Sequence, residues 1–283
     1  MPAEYSFYRL ATIGWANALV RQTVPLIRGN VSDGLTLDLS NLEFTDSFGL
    51  TYLAACFHVV MAAGVNGYVR RPRRDEVHQY LLDAGFYQTI GFGERFGLRT
   101  PSLDRVDLVH ITAVQPEFIG HLLDFLERMQ PLEEGLRPSM RMALLELVQN
   151  FAEHSGSEPG AWISGQYHHR SNRITLCVMD LGRGIPAALR ALPKYRQSRD
   201  PRLVELATDE GVSSVPGERR GLGLNTIRRF VRINGGTLTI LSQRAHVKFP
   251  PDRRPARKRV DVPFPGTVVF MSLVPTRRGL FVL

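Results

Sequence analysis

Residues 173–184 read RITLCVMDLGRG, and their interpretation decides the second half of the chain. Seven residues of strand-forming type run into Asp180, and Gly182 and Gly184 then supply a turn. A lone carboxylate at a strand end is suited to accept a hydrogen bond from a ligand amine. Glycines beside it let the backbone pass close to a flat base. Taken singly, D-x-G-x-G is equally a plain tight turn, so its meaning depends on what surrounds it.

Upstream, 116–129 (PEFIGHLLDFLERM) and 138–154 (PSMRMALLELVQNFAEH) both have helical periodicity. Glu146 and Asn150 lie four apart on the second of these helices and share one face. An acid and an amide so placed can hold a hydrated magnesium ion through oxygen, and the glutamate can also polarise water as a general base. Downstream, Arg220-Gly221-Leu222-Gly223-Leu224 leads into a helix at 224–234, where free amides and the helix dipole favour phosphate. Gly266-Thr267 opens a strand at 267–274. Further strands are expected at 106–112, 161–167 and 237–242. Helices on one side of a mostly antiparallel sheet make this half an α+β sandwich.

The first half is of another kind. A strand at 35–40 (LTLDLS) is followed by a helix at 45–63, a strand at 67–70 and a helix at 74–84, with residues 8–28 read as mostly helix. Strand and helix alternating in this way imply an α/β layer with parallel pairing. The glycine- and turn-rich segment 91–104 marks a boundary, giving domains at 1–95 and 105–283.

Composition narrows the classes. The 283 residues are 43% hydrophobic and 22% charged, which excludes disordered, collagen-like and coiled-coil chains. No apolar run is long enough for a membrane helix. MPAEYSFYRL lacks the pattern of a secretory signal, and Cys56 and Cys177, the only cysteines, read as reduced core thiols. The expectation is a cytoplasmic protein without membrane contact. The formal net charge is +8, and its one concentration, 244–259 (RAHVKFPPDRRPARKR), reads as a solvated loop. Nucleic-acid binding through it is not favoured, because Phe249 is its only aromatic residue.

Together, ELVQNFAEHS, VMDLGRGIP, RRGLGLNTI, GGTLTILS and GTVVFMSLVP over residues ~105–275 resemble the GHKL ATP-binding superfamily. That superfamily includes histidine kinases, anti-sigma serine kinases and gyrase B. The resemblance implies a Bergerat-type α/β sandwich that binds ATP with Mg2+. Asn150 would coordinate the magnesium, and Glu146 would support it or activate water. Asp180 would read the adenine amine, with Gly182 and Gly184 bordering the base. Arg220, Gly221, Leu222, Gly223 and Leu224 would embrace the phosphates, and Thr267 would lie near the adenine. Segment 185–220, read as a long irregular stretch, would be a mobile ATP lid. His154 reads as packing behind the site, and His168-His169 as a loop pair without metal partners. His121 reads as a core-edge histidine rather than the phosphoacceptor of a sensor kinase.

In the first half, LDLSNLEFTDSFGLTYL resembles a STAS domain, the fold of anti-sigma factor antagonists, over residues ~35–85. There Asp46-Ser47-Phe48-Gly49-Leu50 matches the family's turn, except that Phe48 stands where a small hydroxyl residue is common. Ser47 is thus a candidate phosphoacceptor at a helix N-terminus, or simply an N-cap. The combination implies a regulatory protein with a protein partner bound through the STAS-like domain, and a homodimer is a further expectation. Its activity would be that of a serine/threonine protein kinase or a signalling ATPase. A hydrolysis-driven switch and an inactive ATP-sensing adaptor are the alternatives.

Overall fold

The computed structural model describes residues 3–6, 13, 16–27, 34–96, 102–129, 136–152, 160–212 and 223–275. The first half holds β1 (Ala3–Ser6), α1 (Ala16–Ile27), β2 (Leu35–Asp38), α2 (Ser47–Ala62) and β3 (Gly67–Arg70), then α3 (Asp75–Asp83), α4 (Phe86–Thr89) and α5 (Gly93–Phe96). Its three strands pair in parallel in the order β1-β2-β3. Parallel neighbours need a crossover, and α1 and α2 supply the two.

The second half holds β4 (Arg105–Ile111), α6 (Pro116–Met129), α7 (Leu136–Ala152), β5 (Ala161–His168) and β6 (Arg173–Asp180). Then come α8 (Gly184–Arg190), α9 (Asp200–Leu206), α10 (Gly223–Ile233), β7 (Thr237–Phe249) and β8 (Ala256–Leu273). The five strands form an antiparallel sheet in the order β4-β5-β6-β8-β7. This is a mixed α/β sandwich of the expected kind.

The central strands are apolar on both faces, and alternation assigns the faces. Ile163, Ile174, Leu176, Val178, Val269 and Met271 point to α6, α7 and α10, joining Leu122, Phe125, Leu144, Val148, Ile227 and Phe230. Trp162, Cys177, Met179, Val268 and Phe270 point the other way, into one core with Leu50, Leu53, Phe57 and Tyr52 of α2. The first half therefore covers the back of the sheet. Burying each large side chain there contributes about 1.5–3 kcal/mol. α2 explains why the two halves meet. It has almost no polar face, and twelve of its residues are buried. A helix apolar all round needs neighbours on every side. Cys56 and Cys177 are both free and buried, as expected of core thiols.

Four expectations need correction. Residues 244–259 are not a loop. β7 and β8 continue through them as a hairpin, paired as far as Lys248 and Ala256, so only 250–255 form the turn. Segment 185–220 is not irregular over its described part. Its α8 and α9 enclose a small core of Leu189, Leu203 and Ala207, and α9 packs on β7. Arg190 pairs with Asp200, and the second carboxylate oxygen of Asp200 accepts from the Arg244 amide at 3.0 Å. His121 is exposed on α6, opposite the buried stripe of Ile119, Leu122, Leu123 and Leu126. Ser47 is not the N-cap of α2. Asp46 is, and its carboxylate accepts from the Gly49 amide at 3.0 Å.

Candidate functional site

Asp180 closes β6, at the register position of Thr267 on β8. Its Oδ1 accepts from the Gly182 amide at 2.6 Å, a short loop that begins the turn into α8. Asp180 is 2% exposed. Burial pushes its carboxyl up to about 7, against the Gly182 and Thr267 amides, which favour the charged form. A buried carboxyl at a strand end, with one oxygen tied to its own turn, is a polar group aimed rather than solvated.

Two glycines make the turn possible. Gly184 has φ of 79°, and a Cβ there would stand 2.8 Å from the Ser242 hydroxyl and 2.9 Å from the Gly266 carbonyl. A Cβ on Gly266 would stand 2.2 Å from the Asp180 carbonyl. Ser242, which sequence reasoning did not single out, ties these parts together. Its Oγ accepts from the Ile185 amide, donates to the Gly266 carbonyl and meets Thr267 Oγ1, each at 2.9 Å. With the Ser242 proton on Gly266, the Thr267 hydroxyl donates to Ser242 and keeps its lone pairs for another partner. The only signal in the sequence was a serine ending the run TLTILS.

The second part of the site lies where α7 meets α10. Glu146 Oε2 accepts from the Gly223 amide, the first of α10, at 2.7 Å. Asn150 is exposed, one turn further along α7. Leu224 joins the two parts, because it packs with Ile185 of α8 in the same small core. Arg220, Gly221 and Leu222 lie outside the described residues, as does His154. Among the described residues no three His, Cys, Asp or Glu side chains converge on a metal position. Glu146 and Asn150 can offer at most three side-chain oxygens. That suits magnesium, which keeps several waters and is bound through one or two carboxylates and substrate phosphates.

Ser47 sits elsewhere. It is 1% exposed at the seam between the halves, where its hydroxyl donates to Thr175 Oγ1 of β6 at 2.9 Å. Its carbonyl accepts from Thr51 and Ser164, whose hydroxyls also meet each other at 2.8 Å. His168 contacts Thr175 Oγ1 through Nε2 at 3.0 Å. Asp46, beside Ser47, is also buried, and that burial raises its carboxyl to about 7. These hydroxyls satisfy one another, and each would be costly if buried alone.

Residues 135–274 match the family described as histidine kinase-, DNA gyrase B- and HSP90-like ATPase. That segment is an ATPase-type domain of this family, and ATP is the nucleotide the family binds. Among curated proteins none matches the chain. No helix among the described residues is long and apolar enough to cross a membrane.

Proposed function

We propose that the chain is a Mg-ATP-binding regulatory protein in which Asp180 selects the adenine. Its buried carboxyl carries this reading, beside a turn that a Cβ on Gly184 would block. Gly182 and Gly184 border the base, and Thr267 presents an acceptor beside it. Asn150 and Glu146 hold the magnesium, which supplies charge neutralisation to the phosphates when bound. Gly223 and Leu224, with Arg220, Gly221 and Leu222, surround the phosphates. The first half, STAS-like, is the partner-binding unit.

The engagement of Glu146 with Gly223 favours a switch. Phosphate oxygens at the α10 N-terminus compete with the carboxylate for the same amide. Nucleotide binding then frees Glu146 for magnesium or water and shifts α10. Transfer to Ser47 in the same chain requires the seam to open, since the hydroxyl is buried against Thr175. The test follows γ-labelled ATP with purified protein and magnesium, beside Asn150→Ala and Ser47→Ala. Label released as phosphate, and lost only in Asn150→Ala, supports an ATPase switch. Label retained on the protein and lost in both variants makes it a kinase acting on its own first half. No nucleotide binding by wild-type protein overturns the reading.

A further inference from the structure

The β7–β8 turn does not end in open solvent. It folds toward α10, and together they line a cavity of about 230 Å³. Arg228 and Arg232, four apart on one face of α10, line it together with Arg253 and Arg254 of the turn. Phe249, Pro250, Pro251 and Pro255 supply the apolar part of the lining. Arg228 is locked in place. Its guanidinium lies 4.7 Å from the Phe249 ring centroid, donates to Thr208 Oγ1 at 2.9 Å and reaches Asp209 at 3.3 Å.

The lining holds four arginines against Asp252, and Asp209 is taken up by Arg228, so the cavity keeps an excess of positive charge. The other charged groups along the hairpin do not cancel it. Arg257 is drawn to Glu205 at 3.3 Å, while Lys248 and Lys258 flank His246 and depress its pKa further below a value that burial has already lowered. Like charges gathered around one hollow repel one another unless an anion occupies it. All four are arginines, whose planar forks match phosphate oxygens in pairs, and a phosphate monoester carries about −1.5 to −2 at pH 7. The concave shape holds one such group, whereas a polynucleotide needs a charged track with stacking aromatics. Phe249 is 5% exposed and already covered by Arg228. The prolines in the lining offer an apolar surface to whatever carries the phosphate.

We propose that this cavity between α10 and the β7–β8 turn is a binding site for a phosphate monoester borne on a protein segment. It lies outside the residues assigned to ATP. The site shares α10 with the nucleotide, whose phosphates would meet the other end of that helix.

Calorimetric titration tests it on the full chain with four probes. These are inorganic phosphate, a phosphoserine peptide, the same peptide unphosphorylated, and a single-stranded oligonucleotide. The phosphopeptide should bind at least tenfold more tightly than inorganic phosphate, and its unphosphorylated form should not bind. Arg253→Gln/Arg254→Gln, on an exposed turn, should weaken phosphopeptide binding at least tenfold, and Arg232→Gln should weaken it in the same direction. Equal binding of both peptides, or undiminished binding by the double variant, overturns the proposal. Inorganic phosphate binding as tightly as the phosphopeptide assigns the site to the free ion and overturns the protein-borne ligand. Binding of the oligonucleotide alone overturns the proposal in favour of a nucleic-acid surface.

Discussion

Glu146 and Gly223 are 77 residues apart in sequence, yet the glutamate carboxylate accepts a 2.7 Å hydrogen bond from the glycine amide. A carboxylate thereby caps the N-terminus of α10 from a neighbouring helix. Its charge is favoured there by the helix dipole. The contact is tight, because a Cβ on Gly223 would stand 3.0 Å from the Glu146 Cδ. Glu146→Ala should cost about 0.5–2 kcal/mol, the usual worth of a cap. Gly223→Ala should also destabilise, by displacing the same carboxylate. The two losses should not add in a double-mutant cycle of denaturant unfolding, with a coupling of about 0.5–3 kcal/mol. Additive losses would show that the two groups do not depend on each other.

Asp180 should set the choice of base. Asp180→Asn places an amide where the carboxylate stands, so ATP should lose its advantage over GTP. One well-made polar contact of this type is worth about 1–3 kcal/mol, or roughly five- to 150-fold in affinity. Competition between the two nucleotides for a fluorescent analogue measures it. Unchanged preference for ATP in the variant removes the adenine role.

Asn150→Ala should reduce the magnesium dependence of nucleotide binding while leaving binding without metal unchanged. Titrations of ATP with and without magnesium give the comparison. If the variant keeps the wild-type dependence, the metal is held by other groups.

The seam at Ser47 should tolerate loss of the hydroxyl far better than gain of charge. Ser47→Ala leaves Thr175 with His168 as a partner and should cost about 1 kcal/mol. Ser47→Glu buries a carboxylate with no cation among the contacts of Ser47 described above, so the halves should separate. Hydrogen exchange at β5 and β6 would then rise sharply. Protection equal to wild type in Ser47→Glu would mean that the seam accommodates charge without opening.

Asp46 should make stability depend on pH. Its carboxyl has an ordinary value of 3.8 and is held near 7 by burial in the folded protein. Between these values the folded state keeps a proton that the unfolded state has lost, so stability falls as pH rises through that window. Asp180 acts in the same sense, and His110, lowered from 6.5 to about 4, acts in the opposite one. Asp46→Asn keeps the cap and removes the titration. The melting temperature of the variant minus that of wild type should therefore grow by several degrees from pH 4 to pH 7. A constant difference would show that Asp46 does not titrate in this window.

The sequence by itself determined the order and type of most elements and the identity of the ATPase-type half. Those features are local. Period-two and period-3.6 patterns, glycines at turns and the motifs around Glu146, Asp180 and Gly223 are carried by neighbours in the chain. Tertiary structure decided what depends on distant surfaces. The hairpin at 244–259 reads as a charged loop because its cations face outward, and only pairing of Val247 with Arg257 and Lys248 with Ala256 makes it strand. Ser242 became part of the site only when β7, β8 and the α8 turn met. The docking of the first half was half legible, since α2 lacks a polar face and must be enclosed. Which surface encloses it was not written in α2. It emerged because Trp162, Cys177, Met179 and Phe270 left the back of the sheet apolar, and burying both surfaces together removes them from water.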